Sequence, residues 1–166
     1  MGVLLRCFFL TVVVLILVGG CSFEDGSPLL PKSSEIPLDE LKGAPECIYL
    51  EGQECRLETY LWRDFMPICP PDGQLLIAMI SVVGQNGGAI PADVKLKYLW
   101  VINGIQVWAV TFSEEPQHPE NELQRIARDG PKWGPHIFVD VVVGLTRSNG
   151  RLLLLRAVDQ WIARTD

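Results

Sequence analysis

The residues able to do chemistry are few and scattered. The chain has two histidines, His118 and His136, eighteen positions apart. Joined by Glu120 or Asp140 they would make a metal set, but neither a His-x₃-His nor an H-E-x-x-H spacing occurs. His118 stands between prolines in an acidic loop, where solvent exposure is the simpler reading. A serine nucleophile needs a base beside it, and no G-x-S-x-G turn is present. Glu114, Glu115, Glu120 and Glu122 are carboxylates of the type that cleave glycosides in pairs, yet a charge-rich loop is more simply a solvated one. No catalytic residue, metal site or cofactor is expected, and the chain reads as a non-enzyme.

Cysteine carries more information. Arg6 precedes the apolar run "CFFLTVVVLILV" (residues 7–18), and Gly19, Gly20 and Cys21 follow it. Positive start, apolar core and small residues are the three parts of an export signal. The core is about a dozen residues, reaching about 18 Å as a helix, against the ~20 residues that span a bilayer. "VGGC" resembles the lipobox of bacterial lipoprotein precursors, with Val18 where Leu is commoner. The resemblance implies cleavage before Cys21, a diacylglyceryl thioether on its sulfur and acylation of the new amino terminus. It therefore implies attachment to the membrane through lipid on Cys21. Ser22 rather than Asp next to it implies, by the sorting rule of Gram-negative lipoproteins, the outer membrane, facing the periplasm.

Cys47, Cys55 and Cys69 remain. In an oxidising compartment disulfides persist, and an odd count leaves one bridge and one thiol. Cys47 with Cys55 is preferred, Cys55 with Cys69 is the rival, and the spacings match no zinc pattern.

The elements around these residues divide the chain into a signal peptide (1–20), a tether (21–46) and a folded head (47–166). Pro28, Pro31, Pro37 and Pro45 punctuate the tether. As a coil its twenty-five residues after Cys21 span about 28 Å, or about 80 Å extended. "IPLDELKG" has the composition for one helical turn. In the head the apolar period is two: "RLETYLWRDF", "QLLIAMISVVG", "VKLKYLWVINGIQVWAVTF", and "HIFVDVVVGLTR" with "RLLLLRAV". Val94, Leu96, Tyr98, Trp100 and Ile102 alternate against Lys95 and Lys97, and Asn103-Gly104 offers a two-residue turn. In "EEPQHPENELQRIARDGPKWGP", Leu123, Ile126 and Ala127 suit one face of a short helix, with an edge strand as the alternative. Asp140 is expected opposite Val139 and Val141, in solvent or paired with an arginine.

Successive hairpins without βαβ alternation indicate an all-β antiparallel sandwich with one short helix or irregular insertion. A Trp strand followed by "VING" and a return strand resembles the middle of an immunoglobulin-like domain, and "NGGAIPADV" resembles the loop before that strand in bacterial members. The inter-sheet Cys pair of antibody domains is missing. The whole chain also resembles small bacterial lipoproteins.

Charged residues are 20% and apolar ones 48%, a globular composition, and the net charge is −6. Removing residues 1–20 makes it one unit more negative. An acidic chain without a basic cluster is a poor partner for nucleic acid. The expected role is a membrane-anchored binding or structural module for an envelope protein or polymer. The alternatives are an envelope hydrolase acting on glycan or peptide, and a subunit that pairs by strand addition. The partner-binding candidates are Trp133 and Lys132 in "DGPKWGP", a rigid exposed aromatic being a common hot spot. The competing reading folds Trp133 back as a lid over the sandwich. Trp62, Trp100, Trp108 and Trp161 lie on strand patterns or at chain ends and read as packing residues.

Overall fold

The computed structural model describes residues 36–68, 70–113 and 122–166. The signal segment, Cys21, Cys69, Glu114, Glu115, His118 and Glu120 lie outside the described residues. Within them the period-two segments become strands, and β1 and β6 join them: β1 (Cys47–Leu50), β2 (Gln53–Asp64), β3 (Leu76–Gly84), β4 (Lys95–Asn103), β5 (Gln106–Thr111), β6 (Glu122–Gly130), β7 (Phe138–Thr146) and β8 (Leu152–Thr165). One helix, α1 (Leu38–Lys42), precedes them. Among the described residues no helix is long and apolar enough to cross a membrane.

The class is all-β. The strands form one continuous hydrogen-bonded path, β5-β4-β7-β8-β2-β3-β6, with β1 beside β2. Its pairs are antiparallel except one: residues 61–64 of β2 run parallel to residues 162–165 of β8. The sheet is thus mixed, where an antiparallel one was expected. β8 makes this possible by serving both halves. Its first part pairs with β7. Between the pairs Val141–Ala157 and Val139–Gln160 it then carries one extra residue. Such a bulge bends a strand and sharpens its twist. Asp159 sits there at φ 52°, and its N–H donates to the Asp140 carboxylate at 3.1 Å. Asp140 therefore pins the bend that carries β8 across to β2. The path's two ends meet through a side chain: a Cβ on Gly130 of β6 would lie 2.8 Å from the Trp108 ring of β5. The body is nearly barrel-shaped.

The main core lies inside this wrap. Leu57 and Leu61 of β2, Ile80 of β3, Leu99 and Val101 of β4 and Val141 of β7 are among its buried members. Residue 122 onward is strand, not helix. Leu123, Arg125 and Ala127 turn inward while Ile126 and Arg128 face out, and β6 pairs with β3 over most of its length.

Two further expectations shift. The turn between β4 and β5 is Gly104-Ile105, because Asn103 pairs with Gln106. Glycine at φ 63° takes the first loop position, where a tight hairpin turn demands a positive φ. Secondly, β4 changes phase at an irregularity between Leu96 and Tyr98. Leu99 and Val101 then face the main core, while Tyr98, Trp100 and Ile102 face outward with Val142. This outer row is covered by Leu41 and Ala44. The second half of the expected tether is therefore part of the folded body. Lys42 Nζ ties α1 to Gly104 O at 3.0 Å, and Arg156 N–H donates to Pro45 O at 2.8 Å.

At one end of the body Arg147 joins three connections. It makes a two-point contact with Asp93 (2.9 and 3.0 Å) and a third bond to Glu51 at 3.0 Å. The Arg147 hydrogen bonds hold the Asp93 carboxyl below its ordinary range, against a smaller opposing effect of burial. A depressed carboxyl contributes stability that is complete above its unfolded pKa and is lost as pH falls through the folded one. The urea midpoint is expected to drop as pH falls through and below the ordinary carboxylate range, and to drop less steeply in Asp93→Asn. Equal slopes in the two proteins would remove Asp93 from the acid response.

Candidate binding face

Because side chains alternate across a strand, β2 sends Leu57 and Leu61 to the core and Tyr60 and Trp62 to the other face. Registry extends that outer row sideways. Tyr60 is opposite Met79, Trp62 is opposite Ile77, and Met79 is opposite Ile126 of β6. In the other direction Trp62 lies level with Ala163 of β8. Trp161, two residues earlier, shares its face, and Phe138 of β7 is opposite Trp161. Five adjacent strands thus contribute apolar side chains to one outer band.

The band faces solvent. Phe138 is 61% exposed, Tyr60 47%, Ile126 46% and Trp161 45%. At roughly 150–250 Å² per aromatic side chain, the three rings alone present on the order of 300 Å². Packing between neighbours orders the rings. Tyr60 and Trp62 stack at 5.1 Å between centroids, Phe138 and Trp161 meet at 4.9 Å with a 54° tilt, and His136 stacks on Trp161 at 5.5 Å. Scattered exposed apolar residues need no explanation; a contiguous patch of a few hundred Å², the size of the largest one on an ordinary monomer, is a candidate interaction surface.

The chain matches no protein-family model, no curated protein and no solved structure.

Below this band lies the loop that carries Trp133 and Lys132. Trp133 is half-buried and packs on the main core. Lys132 is exposed, and its Nζ donates to the Asp72 carboxylate at 2.5 Å. That bond holds the Asp72 carboxyl below its ordinary range. The anchor of the loop is Arg63, 3% exposed. Its guanidinium donates to the carbonyls of Gln74 (2.8 Å), Gly134 (2.7 Å), Lys132 (3.3 Å) and Asp72. Trp133 and Lys132 thus sit in a clamp between two loops rather than on the aromatic band. His136, at φ 67°, follows this clamp and reaches the band.

The remaining candidates are dispersed. Cys47 lies opposite Arg56 and Cys55 opposite Ile48. Their side chains therefore point to opposite faces, both thiols are free, and the expected Cys47–Cys55 bridge is absent. Burial pushes the Cys55 thiol pKa up, as befits an inert core cysteine. Asp140 serves the β8 bulge. Among the described residues no group of three or more His, Cys, Asp or Glu side chains is placed to hold a metal ion. Sequence reasoning missed Tyr60, Trp62, Phe138 and Trp161 as surface residues. The signal was there: Tyr60 and Trp62 are in phase with each other and out of phase with Leu57 and Leu61.

Proposed function

We propose that this chain is a non-enzymatic, lipid-anchored module of the cell envelope whose head binds another envelope protein through the outer aromatic band. The observation that carries the binding role is the contiguous outer row from Phe138 through Trp161, Tyr60 and Trp62 to Ile126, exposed at every one of these positions except the half-buried Trp62. Its makeup favours a protein over a polymer of sugars. Aromatic residues, methionine and arginine are enriched at protein interfaces, and here Met79, Ile77 and Ile126 accompany the rings with Arg128 beside them. The anchor rests on the "VGGC" resemblance at Cys21, and the outer-membrane placement rests on Ser22. Support for an immunoglobulin-like head comes from strand order. β2-β3-β6 and β5-β4-β7-β8 correspond to the A-B-E and C′-C-F-G sheets of that fold. Trp100 is a departure: it is buried on the outer face beneath α1 rather than between the sheets.

Two measurements test this reading. A photo-crosslinking residue at position 126, in cells making the full chain, is expected to capture one reproducible protein neighbour. Trp161→Ala with Phe138→Ala should weaken that capture by about 30-fold or more, the scale of losing one hot-spot residue, with the melting temperature little changed. Undiminished capture by the double variant would remove the band from the interface. Hydrolysis of envelope glycan or peptide by the purified head would favour the hydrolase instead. For the anchor, radioactive palmitate is expected on the product and Cys21→Ala should release it from the membrane fraction. Unlabelled product with unaltered fractionation would sink the lipoprotein reading without touching the band.

A further inference from the structure

The strands with an open edge do not treat it alike. β1 has only four residues. β6, at one end of the path, carries Arg125, Arg128 and Asp129 and meets β3 through an irregularity. Short length, charge and bulges are the usual guards against unwanted strand pairing. β5, at the other end, has none of them. Its sequence is "QVWAVT", and it pairs with β4 in regular register throughout. Ile105 and Val107 are exposed apolar residues beside its edge. Across the gap to β6 only the Trp108 ring makes contact, at Gly130. Among the described residues no strand pairs with the outer edge of β5.

The groups on that edge follow from the ladder. Phe112 N–H donates to Lys97 O at 2.9 Å. Successive residues of a strand turn their main-chain groups to opposite edges. Gln106, Trp108 and Val110 share the phase of Phe112 and so face β4. Val107, Ala109 and Thr111 present their N–H and C=O groups outward, and all three are exposed. Such a row is a template for another strand.

We propose that a second copy of this chain supplies that strand, β5 pairing with β5 antiparallel about a twofold axis at Ala109. The row is self-complementary in this register. Ala109 exchanges both its bonds with Ala109 of the other copy, and Val107 does so with Thr111 at either end. A twofold contact uses the same patch on both subunits, and this one leaves no outward donor or acceptor of the three residues unmatched. Charge favours a copy over a charged partner. The chain carries a net charge of −6, so two bodies repel, yet residues 104–113 contain no charged side chain. Like charges directly opposite destabilise a strand pair, and here none meet. The aromatic band lies elsewhere and takes no part.

The register makes the test specific. At the axis the two Ala109 Cα atoms stand about 5.5 Å apart, within disulfide reach. The two Val107 positions lie about 14 Å apart, at ~3.4 Å per residue. The full chain is purified in detergent and oxidised, and linked peptides are identified by mass spectrometry. Ala109→Cys is expected to give a 109–109 link. Val107→Cys alone should give almost none, and Val107→Cys with Thr111→Cys a 107–111 link between copies. Thr111→Pro removes an outward N–H and none of the β4 bonds, a position where an edge strand tolerates proline. Added to Ala109→Cys it should lower the link about fivefold or more, with the melting temperature read alongside. Trp161→Ala with Phe138→Ala should leave the link unchanged. No 109–109 link, equal linking at 107 and 109, or a link that Thr111→Pro leaves intact would overturn the proposal. A link lost in the band variant would place the contact between copies on the band instead.

Discussion

Arg63→Met is expected to lower the stability of the head by about 3 kcal/mol or more, the largest effect of a single polar side chain in this protein. The reason is geometric. Arg63 takes an inward position on β2, in the same phase as Leu57 and Leu61, yet it ends among carbonyl oxygens rather than in the apolar core. Its four acceptors come from two segments, residues 72–74 and 132–134. Neither segment is a strand. A planar fork with five donors can satisfy several carbonyls at once, and hydrogen bonds to a charged group contribute about 1.5–3 kcal/mol each. Phe65 adds to the support from one side, 5.1 Å from the Arg63 guanidinium and 4.3 Å from that of Arg164.

Methionine fills much of the same volume and donates nothing, so the loss reads the hydrogen bonds rather than a cavity. Arg63→Lys separates charge from shape. An ammonium keeps the charge but cannot reach both loops with a rigid fork, so lysine should recover only a minor part of the loss. The check is urea unfolding of the three proteins, with a melting shift of roughly 10 °C for the methionine variant. A lysine variant as stable as the original would show that charge alone suffices. A methionine variant within experimental error of the original would show that the two loops hold themselves.

Much of the sheet was legible because hairpins are local. The β4–β5 and β7–β8 pairs are announced by apolar runs on either side of a Gly-containing turn, and both exist. What was not legible was phase. β4 carries apolar residues on both faces, so period two alone does not say which row meets the core. The irregularity between Leu96 and Tyr98 settles it, and nothing in "VKLKYLW" marks that position. β6 fails for a related reason. Leu123, Ile126 and Ala127 fit a helical stripe, whereas the strand's true inward set includes Arg125, which reads as an interruption. Only the open edge of β3, a tertiary fact, selects the strand.

The candidate site was obscured by a rule that is usually sound. Large aromatic residues on strands are mostly packing residues, and Trp100 and Trp108 are. Trp62 and Trp161 share their composition and spacing. They differ in lying on a side of the sheet that no other described element covers, and cover is supplied by elements distant in sequence. Trp100 is buried because α1 lies over it, not because its own strand hides it.

That dependence leads to the second large effect. Leu41→Ala is expected to cost about 3 kcal/mol, within the usual range for a fully buried leucine cut to alanine. α1 has five residues and no side-chain cap at its first turn; isolated helices of this length do not form in water. It exists because Leu41, 1% exposed, is buried with Tyr98, Trp100, Ile102 and Val142. Removing the leucine side chain opens a cavity there and weakens the most deeply buried of the apolar contacts that hold the turn in place. Trp100 offers a direct reading: its environment becomes wetter as the segment detaches, so tryptophan emission should move to longer wavelength in Leu41→Ala before global unfolding begins. Leu38→Ala, at a half-buried neighbour, should cost less. Were Leu41→Ala to leave both the urea midpoint and the emission unchanged, residues 36–46 would be an ornament on a complete body, and the expected boundary of the head at residue 47 would stand. If both move, the head begins with the helix, and the outer face of β4 belongs to its core.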